Sequence, residues 1–163
     1  MGNYEFFKKE FEFHGKHARM AGELWVKSDY EHTYFRRLID LYTVAAVVGF
    51  RVDRKAKEDF SPFGTKSILA EQIINAKEEL DFIMQMMIML DAKESMTAEE
   101  AVKKAFRGAE TEEEFQTYQS MFHDYVRGGV EELYERLIIQ KADRKSTRLN
   151  SSHDRQSRMP SSA

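Results

Sequence analysis

Cysteine is absent from the 163 residues, which excludes a disulfide framework and any thiolate metal site. Proline occurs only twice, at Pro62 and Pro160, so little punctuates the chain against helix. Long apolar runs are also missing. The longest, Leu41 to Phe50 ("LYTVAAVVGF"), is about half of a bilayer span and is bounded by Asp40 and Arg51. No signal peptide opens the chain, because Met1 to Glu12 is studded with charge. These absences lead to the expectation of a soluble, cytoplasmic protein with no membrane association. No phosphate-cradling glycine loop, nucleophile elbow or zinc-protease helix motif occurs, so nothing requires an enzyme or implies a cofactor.

The last stretch is foreign to the rest. Asp143 to His153 ("DRKSTRLNSSH") is an eleven-residue match to a translated short-read sequencing adapter. Ser157 to Ala163 ("SRMPSSA") matches the adapter's continuation in the same frame, with a sample index filling Asp154 to Gln156. Residues 143–163 are therefore expected to be a disordered, adapter-derived tail, with the natural C-terminus missing. That leaves residues 1–142 as one helical domain, long enough to bury a core. The tail carries five cations and two anions, so residues 1–142 hold a charge of minus six within a whole-chain minus three. An acidic domain repels a phosphate backbone on average, which lowers the expectation of non-specific nucleic-acid binding.

Periodicity points to an all-α fold, a single compact bundle of about five helices with short connections. The N-terminal segment is the least determined part. Phe11 and Phe13 alternate as in a short strand or extended lead-in, and "HGKHARMAGELW" reads as a short helix broken by glycines. From Glu31 to Val48, Tyr34, Phe35, Leu38, Ile39, Tyr42, Ala45 and Ala46 recur at helical spacing, and Gly49 stands where a glycine ends a helix. Arg36, Arg37, Asp40 and Thr43 form its only polar face. Pro62 marks a loop in "DFSPFGTK". A long helix is expected from Lys66 to Leu90, where Leu69, Ile73, Ala76, Leu80, Ile83, Met87 and Leu90 form a heptad seam for the core or a partner.

Two capping boxes announce the last helices: Thr97 with Glu100, and Thr111 with Glu114. Helices are expected over Ala98–Arg107 and Glu112–Arg127, with "RGG" at Arg127–Gly129 ending the second and a final helix over Val130–Gln140.

Candidate chemistry is sparse. His14 and His17 would share a helix face and could begin a metal site, yet no third ligand has motif spacing, His32 and His123 included. Glu78 and Glu79, Glu99 and Glu100, and Glu112 to Glu114 resemble acid/base pairs, but first-turn acids also serve helix ends. No catalytic residue and no metal ligand is assigned. Met84, Met86, Met87 and Met89 suit either an adaptable groove or a core. Beyond Gly49, Arg51, Arg54, Lys55 and Lys57 crowd into seven residues. They are candidates for anion or nucleic-acid contact, or simply cations that favour a helix C-terminus.

The stretch "IDLYTVAAVVGFRVDRKAKED", after "FEFHGKHARMAGELW", resembles small bacterial proteins of anti-phage defence islands associated with DNA phosphorothioation (Dnd). In those proteins an apolar, alanine-rich helix also closes on a glycine–aromatic pair followed by a basic segment. The resemblance spans residues 11–59. It implies a non-catalytic accessory protein of a DNA modification or restriction system, acting through other proteins, with nucleic acid as a possible second partner. A plain helical oligomerisation or interaction module, or an enzyme of unrecognised type, are the other expectations.

Overall fold

The computed structural model describes residues 4–25 and 34–144. The expectations that fall on residues 1–3, on 26–33 with His32, and on the tail beyond 144 lie outside the described residues. The fold is mostly helical, but not all-α, since the alternation near the N-terminus is a true strand. β1 covers Phe11–His14, with Phe11 and Phe13 inward and Glu12 outward. α1 covers Gly15–Leu24 without a break at Gly22, and buries His17, Ala18, Ala21 and Leu24. α2 covers Leu38–Arg51, a later start than expected: Arg37 is extended and binds Asp40. β2, Thr65–Ile68, pairs antiparallel with β1, Phe11 opposite Ile68 and His14 opposite Thr65. An isolated two-stranded ribbon is marginal in water. This one survives because Phe13 and Ile68 are fully buried in the common core.

The expected long helix over 66–90 is three elements. Its first residues are β2; α3 then covers Ala70–Asn75 and α4 covers Lys77–Ala92. Between them Ala76 sits at φ −96°, ψ 3°, its N–H shared by the carbonyls of Gln72 and Ile73. Ile73, Leu80, Ile83 and Met87 are buried as the seam requires, joined by Met84 and Ile88. The ends of the seam are not. Leu69 precedes α3 and is 61% exposed, and Leu90, near the end of α4, is also exposed. Heptad spacing sets which residues share a face; it does not ensure that one continuous backbone carries them. Of the methionines, Met84 and Met87 are buried and Met86 and Met89 half-buried, so the cluster belongs chiefly to the core.

α5 covers Ala98–Arg107 and α6 covers Glu112–Tyr134, continuing through a π-helical segment, Glu135–Ile139, to residue 144. That end lies two residues inside the adapter match. The Thr97–Glu100 box is complete. At α6 half a box forms: Thr111 accepts the Glu114 N–H, while the Glu114 carboxylate reaches back one residue further, to the N–H of Glu110.

"RGG" does not end a helix, and Gly49 is two residues inside one. Both mark the place where α2 crosses α6. A Cβ at Gly49 would overlap the carbonyl of Tyr125, and one at Gly129 would overlap the carbonyl of Ala45. Ala45 and Ala46 are fully buried at the same crossing. Small residues on both helices let the two backbones touch, and a larger side chain at either glycine would push them apart. Around this axis the N-terminal aromatics close the core. Phe6 stacks on Phe115 at 5.0 Å, Phe7 meets Phe122 edge-on at 4.8 Å, and Phe11 lies 5.0 Å from Tyr42.

Candidate functional site

The basic segment after α2 is a strap laid across α6. Asp53 turns the chain at φ 53°, and the Arg54 N–H bonds the Gly49 carbonyl at 2.9 Å. The strap then passes over Gly128, where a Cβ would overlap the carbonyl of Arg54. Two hydrogen bonds at Ala56 fasten it to α6: the Ala56 N–H donates to the Asp124 carbonyl at 2.9 Å, and the Arg127 side chain donates from Nε to the Ala56 carbonyl at 2.9 Å. At its far end Asp59 accepts the Lys16 N–H at 2.7 Å and so caps α1 from 43 residues away. The Lys16 amide is the main reason the Asp59 carboxyl titrates below its ordinary value.

The four cations named from the sequence meet different surroundings. Arg54 is enclosed by carboxylates of the α6 region: Nη1 donates to Glu135 Oε2 at 2.8 Å and to Glu132 Oε2 at 3.0 Å, and Nη2 to Glu135 Oε1 at 2.9 Å and Glu131 Oε1 at 3.3 Å. Glu135 contributes most to raising the guanidinium's pKa above its ordinary value. The Glu135 carboxyl is held low by Arg54 in return, and Glu132 is held low by Arg136 first and Arg54 second. Lys55 lies over the Tyr125 ring, 5.0 Å from its centroid. Lys57 bonds Asp124 Oδ2 at 2.6 Å while most of its stem stays in water. Arg51, on the last turn of α2, is exposed and has no bonded partner among the described residues.

The structure therefore spends Arg54 and Lys57 inside the chain. The residues that receive them, Asp124, Glu131, Glu132 and Glu135, were not singled out from the sequence. Their only local signal is the acidic spacing of "EELYE", which also reads as an ordinary solvated helix face. Tyr125 donates to Asp53 Oδ1 at 3.1 Å, and burial, with Asp53 assisting, pushes its phenol up to about 12.

His14 and His17 do not share a helix face, since His14 ends β1. His14 Nδ1 lies 3.4 Å from Thr65 Oγ1, and the ring packs beside Phe60. His17 is fully buried, its Nε2 2.9 Å from Glu131 Oε2. Burial lowers its pKa against the opposing pull of Glu131. Among the described residues no group of three or more His, Cys, Asp or Glu side chains is placed to hold a metal ion. The acidic pairs face water or serve caps: Glu78, Glu79 and Glu99 are exposed, and Glu100 and Glu114 sit at helix starts.

Apolar side chains also stand in water. Phe82 on α4 is 70% exposed and Phe106 on α5 is 74% exposed. Asp81 and Gln85 line both the cleft beside Phe82 and the cleft beside Phe106, so the two rings flank one surface. Glu78 and Glu79 border the Phe82 side. No helix among the described residues is long and apolar enough to cross a membrane. Compared with protein-family models, with curated proteins and with solved structures, the chain finds no match.

Proposed function

We propose that this chain is a non-catalytic accessory protein that acts through protein contacts, in the cytoplasmic setting of a bacterial DNA modification or restriction system. The observation that carries the contact reading is the Phe82–Phe106 surface. Each aromatic ring covered by a partner removes roughly 150–250 Å² from water, which makes exposed rings the main source of binding energy at such a face. Glu78 and Glu79 make the Phe82 side acidic, while Lys77, paired with Asp81 at 2.6 Å, borders the Phe106 side. Pairing two copies through the Phe82 side would set Glu78 and Glu79 against their like, so that side favours a partner whose apolar groove is bordered by Lys or Arg. The bacterial defence setting is supported by the resemblance of residues 11–59. Direct nucleic-acid binding draws little support from a strap whose Arg54 already faces three carboxylates.

The test is co-purification of the wild-type chain with the proteins encoded beside it, against a Phe82→Asp/Phe106→Asp variant. The expected result is a stoichiometric complex that the variant loses while its helical circular dichroism is unchanged. A complex that survives in the variant would place the contact elsewhere. Sedimentation of the chain alone covers the oligomerisation reading, which a dimer broken by the same variant would establish. A low-salt titration with labelled duplex DNA is expected to show no binding. Salt-sensitive binding lost on neutralising Arg51 and Lys57 would restore the nucleic-acid role.

A further inference from the structure

The outer face of α2 carries one narrow stripe, Asp40, Val44, Val47 and Arg51. At about 100° per residue these four fall within about 60° of the helix circumference. The opposite side holds Ala45, Ala46 and Gly49 and is closed by α6. Val44 is 40% exposed and Val47 38%. Exposed β-branched residues favour a helix less than most, so local propensity does not account for them. Arg51 is exposed and, unlike Arg54 and Lys57, meets no carboxylate of its own chain among the described residues. At the other end Arg37 bonds Asp40 at 2.8 and 3.1 Å, yet the Asp40 side chain stays 40% exposed. The cleft beside Asp40 also holds Glu79, so this end of the stripe has two carboxylates to one guanidinium.

We propose that a second copy of this chain docks on the stripe, α2 against α2, as a two-fold antiparallel pair. Val44 and Val47 share a midpoint between Ala45 and Ala46, and Asp40 and Arg51 share the same one. A two-fold axis there sets Val44 against the second copy's Val47 and Asp40 against the second copy's Arg51, each contact occurring twice. The spacing of four, three and four residues is that of a helix–helix seam. Parallel pairing would instead set Arg51 against Arg51 and Asp40 against Asp40. An isologous contact requires a face complementary to itself, and this face is. Helices of 14 residues bury well under the roughly 1,600 Å² of a standard interface, so the dimer is weak, with a dissociation constant of roughly 10 µM to 1 mM. The pairing uses neither Phe82 nor Phe106 and stands independently of the function proposed above.

Sedimentation equilibrium of the full chain, from about 10 µM to about 1 mM, reads the association. The wild type is expected to pass from monomer to dimer across this range, and the Phe82→Asp/Phe106→Asp variant to do the same. Asp40→Arg and Arg51→Asp should each weaken association at least about ten-fold, because each sets like charges together twice. An equimolar mixture of these two variants should recover the dimer. In the mixed pair one stripe carries cations at both ends and the other carries anions, so both contacts attract again. Both positions are at the surface, and helical circular dichroism checks that each variant folds. A wild-type chain that stays monomeric at the highest concentration would overturn the proposal, as would a dimer lost with Phe82 and Phe106. So would a dimer indifferent to both charge reversals, or single variants that the mixture does not rescue.

Discussion

Arg54 and Glu135 meet edge to edge, Nη1 reaching Oε2 at 2.8 Å and Nη2 reaching Oε1 at 2.9 Å. The pair joins the strap after α2 to the π-helical end of α6, and the same guanidinium separates Glu135 from Glu131 and Glu132, which would otherwise repel one another. Both partners are partly exposed, so solvent screens the attraction. Arg54→Ala is expected to lower the unfolding free energy by about 1–2 kcal/mol. Arg54→Lys should recover only part of it, since an ammonium cannot match the carboxylate at two points. Urea denaturation measures both, and an alanine variant of wild-type stability would mean that the strap's other contacts hold it without this pair.

At the helix crossing the usual rule reverses. Glycine to alanine inside a helix ordinarily gains about 1 kcal/mol. Gly129→Ala is instead expected to cost about 1–3 kcal/mol, because its methyl group would overlap the Ala45 carbonyl. Gly22→Ala in α1 is the control, its nearest neighbour being the flexible end of Lys66 at 3.4 Å. A Gly129→Ala variant that gained stability like Gly22→Ala would refute the close crossing.

Acid should loosen the core before the carboxylates titrate. Burial depresses the His123 pKa to about 4, with Arg127 adding to the effect and Asp124 opposing it. In the unfolded chain the ring titrates near its ordinary value of 6.5. The unfolded state therefore binds the extra proton between these values. The stability that depends on a neutral ring is fully present above pH 6.5 and lost as pH falls toward 4, by up to about 3 kcal/mol. His17, also depressed by burial, acts in the same direction. Urea midpoints measured from pH 7 to 4.5 check this, with a histidine NMR titration. A His123 that protonates near pH 6.5 in the folded chain would exclude it.

The broken seam gives a paired test. Ile83 is 6% exposed, and Ile83→Asp is expected to abolish cooperative unfolding, since an unpaired buried charge costs as much as the whole domain is stable. Leu69 occupies the same heptad pattern but stands in water, so Leu69→Asp should change stability by no more than about 0.5 kcal/mol. Equal, severe loss in both would restore the single long helix.

What was legible in the sequence was local. The cap at Thr97, the inward pair Phe11 and Phe13, and the buried face of Leu80, Ile83 and Met87 all follow from chemistry or spacing within a few residues. Such signals say what a segment prefers while saying nothing of its neighbour. The strand Thr65–Ile68 carries no apolar alternation and exists because Phe11–His14 supplies its partner more than fifty residues away. The glycines at 49 and 129 look like helix stops when read alone, because the carbonyls that make larger residues impossible belong to another helix. Likewise Arg51, Arg54, Lys55 and Lys57 form one basic run along the chain. Folding separates them: Arg54 and Lys57 meet carboxylates, Lys55 meets an aromatic face, and Arg51 meets water. Charge is written in the sequence, but its availability depends on which opposite charge the fold brings within hydrogen-bond reach, and only the tertiary structure decides that.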